Sequence, residues 1–215
     1  MFSQLVMLGS SGMLLTALIV LWRKGVPAYI SAYRLQGWLL SAVTATVGYF
    51  GGDWRLYWVA CVLIVLKGIA IPGLLRLMQK QFGAHPEVKP YVNTETSLLV
   101  ASLLVLFAHV LARPWMAVTE LPTRDGLPLA MALLFVSLFI VVSRKKAITQ
   151  VIRFLMLENA IALLAVVGTY GVPLLVEFGV FLDALMGFLV MQIFVYQIHE
   201  TFDTIDVEQL RRLRH

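Results

Sequence analysis

Charge is scarce in this chain, and a soluble surface depends on it. Only 13% of its 215 residues are Asp, Glu, Lys or Arg and 60% are hydrophobic, against roughly 25% charged and 45–50% apolar in soluble domains. The single cysteine, Cys61, excludes an internal disulfide framework and any multi-cysteine metal site. It falls within an apolar run, where it reads as a small packing residue. The histidines His85, His109, His199 and His215 are scattered, with no pair at metal or haem spacing. There is no glycine-rich nucleotide loop and no nucleophile elbow. Redox, hydrolytic and nucleotide chemistry therefore have no candidate residues here. The net charge of +5 does not point to nucleic acid, because the basic residues fall in short stretches between apolar runs, where membrane topology accounts for them.

What the chain has is long apolar runs. A helix crosses the hydrocarbon with about 20 apolar residues. Seven stretches approach this: 2–22, 28–50, 54–78, 93–112, 127–143, 148–169 and 173–198. The fifth is the shortest. None alternates polar and apolar residues as barrel strands do, so the expected fold is an all-α membrane protein with about seven transmembrane helices. Turn signals separate the runs: Pro27 opens the second and Gly51-Gly52 closes it. Gly83, Pro86 and Pro90 follow the third, Pro114, Pro122 and Arg124-Asp125-Gly126 follow the fourth, and Gly171 and Pro173 part the last two. No intervening stretch is long enough for a soluble domain. Residues from about 200 to 215 read as a tail, with a possible amphipathic helix from Val207 to His215.

The basic residues set the orientation. With the N-terminus outside, the inner segments hold Arg23, Lys24, Arg34, Arg76, Lys80, Lys89, Arg144, Lys145, Lys146, Arg153, Arg211, Arg212 and Arg214. The outer ones hold Arg55, Arg113 and Arg124. This bias predicts N-out, C-in and an odd number of spans. It agrees with the first run, which basic residues follow rather than precede, the reverse of a secretory signal. Trp38, Trp54, Trp58 and Trp115 read as interfacial anchors near helix ends, and Gly9, Gly12, Gly48, Gly68 and Gly187 as close-packing positions.

Ionisable residues inside the spans carry the functional signal. Lys67, Glu158 and Asp183 lie roughly 15–20 Å from a membrane face at about 1.5 Å per residue, near the midplane of a core about 30 Å thick. Each is costly in hydrocarbon, so each is expected to face protein or water and to have a partner. Acid, lysine and histidine chains of this kind relay protons in pumps. Glu177 and His109 lie nearer the outer end and are accessory candidates with a wet, interfacial reading. Asn159, beside Glu158, and Ser41, Thr44 and Thr46 in the second run are positions able to hold water. The bland alternative is static pairing, with Lys67 joined to Glu158 or Asp183 only to fix helix contacts.

The run Phe154-Leu155-Met156-Leu157-Glu158-Asn159-Ala160-Ile161-Ala162-Leu163-Leu164 resembles the second helix of the three-helix complex I subunit NuoK. Glu177 to Gly187 resembles that subunit's third helix, with Asp183 where the family more often has Glu. Length, seven runs, the Lys67-(x)4-Pro72 segment and the Leu-Glu-Asn helix together resemble the hydrogenase-4 component E family, a membrane subunit of formate hydrogenlyase and related group 4 [NiFe]-hydrogenase complexes. The antiporter subunit MrpC shares the three-helix core. The resemblance implies a four-helix region over 1–126, a NuoK-like core over 127–200 and a cytoplasmic tail over 201–215. It also implies a non-catalytic subunit in a bacterial or archaeal cytoplasmic membrane, with Glu158, Asp183 and Lys67 on a proton or sodium path. Antiporter-like and peripheral hydrogenase-type chains would be its partners, and the [NiFe] and Fe–S centres would lie in those chains, with no cofactor in this one. The alternatives are a purely structural packing subunit of a multisubunit antiporter or related complex, and a stand-alone small transporter.

Overall fold

The computed structural model describes residues 1–23, 25–82, 93–143, 147–172, 179, 181–182 and 184–192. Among these the chain is helical, with no strand. The helices are α1 (Phe2–Trp22), α2 (Val26–Gly51), α3 (Arg55–Leu63), a π-helical segment (Ile64–Ala70), α4 (Ile71–Phe82), α5 (Thr94–Val118), a 3-10 turn (Arg124–Gly126), α6 (Leu127–Val142) and α7 (Ala147–Thr169). Residues 184–192 are helical too, within the last expected run. Five helical spans are long and apolar enough to cross a membrane: Phe2–Trp22, Arg55–Lys80, Thr94–Val118, Arg124–Val142 and Thr149–Thr169. The short fifth run is thus lengthened by the 3-10 turn in front of it.

The long helix missing from that set, α2, explains itself by position. It carries Arg34, Gln36 and several hydroxyl side chains, yet it packs against α1, α3, the π segment, α4 and α7. About half of α2 is buried against these elements, and its polar residues are tolerated where partners await them. Tyr29, Tyr33, Gln36, Leu40, Thr44 and Val47 recur at helical spacing and are all buried. Pro27 occupies the first turn and Gly52, at φ +69°, ends the helix in the left-handed region that glycine enters without strain.

Helix α1 runs antiparallel to α2 and α7 and parallel to α6. The start of α1 meets the ends of α2 and α7, since the Phe2 ring is 4.9 Å from Phe50 and 5.9 Å from Tyr170. Ser3 Oγ donates to Asp125 Oδ2 at 2.8 Å, and Thr123 Oγ1 donates to the Val167 carbonyl at 2.6 Å. The turn before α6 is thereby tied to α1 and α7 at the same end.

The stretch Arg55–Phe82 is continuous but changes pitch at Ile64–Ala70. Pro72 supplies a cause. It lacks an N–H and its ring crowds the carbonyl four residues back, at Gly68; the preceding turn widens, and Ile71 N–H bonds to the Leu66 carbonyl five residues back. This wide turn is pressed against α2. A β-carbon on Gly37 would lie 2.8 Å from Lys67 Cβ and 3.0 Å from the Lys67 carbonyl carbon, and one on Gly68 would lie 2.5 Å from Trp38 Nε1. Of the glycines expected at close contacts, Gly48 would meet Leu56 Cβ at 2.9 Å and Gly12 would meet Leu39 Cδ1 at 3.0 Å, whereas Gly187 has its nearest neighbours at an ordinary 3.9 Å.

Four expectations are corrected. Helix α5 continues through Pro114 to Val118, and the proline removes the hydrogen bond to the Val110 carbonyl. Trp38 lies mid-helix, under the Arg34 guanidinium at 4.7 Å, and not at an end. Cys61 is exposed on the bundle surface and not packed within it. Arg153, counted with the inner loop, is inside α7 and 1% exposed.

Gly37→Val is expected to lower the thermal midpoint in detergent by the equivalent of about 1–3 kcal/mol, because the added atoms meet backbone that cannot move aside cheaply. Gly73→Ala, with nothing within 4 Å of its β-carbon, should leave the midpoint unchanged or raise it by up to about 1 kcal/mol. Equal midpoints for the two variants would mean that α2 does not press on the π segment.

Candidate functional site

The bundle buries a chain of polar groups at mid-depth. Lys67, in the π segment, is 0% exposed; Glu158 and Asn159, on α7, are 7% and 0% exposed. Lys67 Nζ donates to Asn159 Oδ1 at 2.7 Å and lies 4.0 Å from Glu158 Oε2. Asn159 Nδ2 donates to Gln36 Oε1 at 3.4 Å, and Gln36 Nε2 donates to the Met13 carbonyl of α1 at 3.2 Å. That carbonyl also accepts from Thr16 Oγ1 at 2.6 Å. One row of contacts therefore runs from α1 through α2 and α7 to the π segment.

Each part has a local reason. Glycine at 37 lets α2 approach the backbone of Lys67 itself. Asn159 offers both an acceptor and a donor, so it can bind an ammonium on one side and an amide oxygen on the other. Glu158 precedes it by one residue, so the carboxylate is offset by about 100° around α7 and reaches the ammonium from a different side.

A second buried polar group lies between the same two helices toward the Arg23 end. Arg153 has its guanidinium carbon 5.2 Å from the centre of the Tyr29 ring, within cation–π range. Tyr29 and Tyr33 are fully buried and Thr149 is 3% exposed. The junction of α2, α7 and the π segment thus buries Lys67, Arg153 and Glu158 among the described residues, in a region of low effective dielectric.

The structure brings together Lys67, Glu158 and Asn159 of the expected residues. His109 is exposed on α5, apart from the cluster. Asp183 and Glu177 lie outside the described residues. The hydroxyls thought able to hold water are bonded to backbone: Ser41 to the Ala60 carbonyl at 2.6 Å, Thr44 to Leu40 at 2.9 Å and Thr46 to Ala42 at 2.8 Å. Gln36, Tyr29, Tyr33 and Arg153 escaped the sequence reading. Gln36 was detectable as an amide nearly in the middle of an expected span, and Arg153 by its place past the start of a run.

These features define a multi-pass helical membrane protein with a mid-depth cluster of ionisable and amide side chains. The chain belongs to the family of the uncharacterized protein Rv0085 of Mycobacterium tuberculosis, to which it is 33% identical over 214 residues, covering 99% of this chain and 97% of that one. It is a more distant relative of hydrogenase-4 component E of Escherichia coli K12, at 26% identity over 207 residues and 94% of each chain; the same values hold for the component from Shigella flexneri. No family model matches the chain, and no solved structure does.

Asn159→Leu strips a partner from both Lys67 and Gln36, and is expected to cost about 1–3 kcal/mol in thermal stability. Lys67→Met should cost less in that background than in the unaltered protein, with a coupling of about 0.5–3 kcal/mol in the double-mutant cycle. Additive effects would show that the 2.7 Å contact carries no energy.

Proposed function

We propose that this chain is a non-catalytic membrane subunit of a complex I-like, group 4 [NiFe]-hydrogenase-type assembly, and that it forms part of the assembly's proton or sodium path. The observation that carries the reading is the Lys67–Asn159–Glu158 cluster, buried at mid-depth in a chain related along 94% of its length to hydrogenase-4 component E. The metal centres and the redox reaction belong to other chains. The expected placement is a bacterial or archaeal cytoplasmic membrane, N-terminus out and C-terminus in, with antiporter-like subunits alongside.

The geometry suits proton exchange. Lys67 is bonded to a neutral amide at 2.7 Å, while the carboxylate is 4.0 Å away. A movement of about 1 Å closes that gap to hydrogen-bonding distance. Passage of the ammonium proton to Glu158 then leaves a neutral amine and a neutral acid where two charges stood. In a medium of low effective dielectric, a charge arriving nearby shifts that balance strongly, which is how an event in a partner subunit reaches this site. Gln36 and Asn159 hold Lys67 in place, and Asp183 is the next relay along the path. The rival reading, a packing subunit with a static pair, draws on the same contacts, since buried pairs also fix helix register.

The two readings separate on Glu158→Gln, which keeps the shape and removes the titrating group. The relay predicts an intact complex whose ion-coupled turnover falls by about tenfold or more, in the range typical of a lost proton-transfer group. Normal pumping by an intact variant complex would sink the relay, and loss of assembly would favour the packing role. Co-purification from native membranes in mild detergent, with mass spectrometry of the associated chains, checks the assembly itself.

A further inference from the structure

Away from the buried cluster, the surface carries a groove of about 820 Å³ between the second half of α1 and the first half of α2. Ile19, Trp22 and Arg23 line one side, and Ala28, Ala32 and Leu35 the other. Thr16 and Ser31 also reach it, but each hydroxyl is spent on its own helix, on the Met13 carbonyl at 2.6 Å and the Pro27 carbonyl at 2.9 Å. Most of the trough is therefore apolar surface. Only its mouth is charged. Arg23, just past the end of α1, is exposed and makes no ion pair among the described residues, and Trp22 beside it is 69% exposed.

The depth of the groove selects its occupant. From Thr16 to Arg23 on α1, and from Leu35 to Pro27 on α2, it extends about 10–12 Å at 1.5 Å per residue. That is less than half of a hydrocarbon core about 30 Å thick. A partner's transmembrane helix would meet the groove over only about two turns and leave the arginine at its mouth without an anionic partner. A molecule confined to one leaflet, with a hydrocarbon tail and an anionic head, matches an apolar trough that ends at an arginine and an indole. A free phosphate would have no use for the trough, and a neutral lipid none for the arginine.

We propose that the α1–α2 groove is a binding site for one anionic phospholipid of the leaflet on the Arg23 side. The headgroup phosphate is held by Arg23, and an acyl chain lies along Ile19, Ala28, Ala32 and Leu35. The basic bias of the sequence places this leaflet inside. The bound chain covers the seam behind Gln36, whose partner, the Met13 carbonyl, is shared with Thr16 in the groove wall. The site is independent of the relay reading, since a packing subunit would use it equally.

Native mass spectrometry of the full chain in mild detergent, titrated with dioleoylphosphatidylglycerol and separately with dioleoylphosphatidylcholine, tests this. The unaltered protein should retain one phosphatidylglycerol in preference to phosphatidylcholine. Arg23→Ala should weaken phosphatidylglycerol by roughly fivefold, the effect of one basic residue on attraction to an anionic leaflet, and erase the preference. Arg23→Lys should keep it. Ala28→Leu fills the trough with the cation intact, and should displace both lipids. Arg55→Ala, at the opposite membrane face, should change nothing. The proposal fails if Arg23→Ala and Ala28→Leu retain phosphatidylglycerol as the unaltered chain does. It fails equally if a photoreactive residue at position 28, in the intact complex, cross-links to another protein chain instead of to phospholipid.

Discussion

A lysine buried in the middle of an apolar helix bundle has to be held by protein, and much of this structure is organised around holding one. Lys67 is fully buried, and leaving its ammonium without partners there would cost several kcal/mol. The partners come from α7, which offers Asn159 at 2.7 Å and Glu158 at 4.0 Å. Asn159 is steadied by Gln36, and Gln36 by the backbone of α1. Four separate parts of the chain must therefore be in register before the charge is satisfied. The cluster fixes the bundle as much as the bundle fixes the cluster.

Backbone geometry makes this possible. Pro72 interrupts the normal helical bonding just beyond Lys67, and the wide turn from Ile64 to Ala70 absorbs the interruption. Gly37 then lets α2 approach the backbone of the wide turn, and Gly68 leaves room for the Trp38 ring. The same closeness buries Gln36, Ser41 and Thr44 of α2 against protein, while Leu35, Trp38, Tyr49 and Phe50 stay exposed. Helix α5 shows the contrast. It buries a stripe of Ser97, Ala101, Ala108 and Ala112 and turns Leu99, Leu103, Leu106 and Phe107 outward. Such a face suits lipid or a neighbouring subunit.

The helices were legible because the apolar runs are long and their punctuation is strong. Proline at 27 and glycine at 52 bound α2 as their chemistry requires. Boundaries failed where proline was read only as a breaker: Pro114 lies inside α5, which continues to Val118. Lys67 and Glu158 were found because charge in an apolar run is rare. Gln36 was missed because an uncharged amide raises no such alarm. Arg153 was missed because a basic residue near a helix start looks like a topology signal until its burial is known.

Composition and the order of residues alone determined that lipid is this protein's solvent, that its spans are helical and that Lys67 and Glu158 lie at similar depth within their runs. Each follows from local chemistry: apolar length, internal backbone bonding and residue rise. Which side chains meet was decided only by tertiary structure. Lys67 is 92 residues from Asn159, and Gln36 is 123 from it. Their contact depends on which helix faces which, on the wide turn before Pro72, and on two glycines whose importance lies in what is pressed against them. No residue carries that information by itself, because packing belongs to pairs of surfaces.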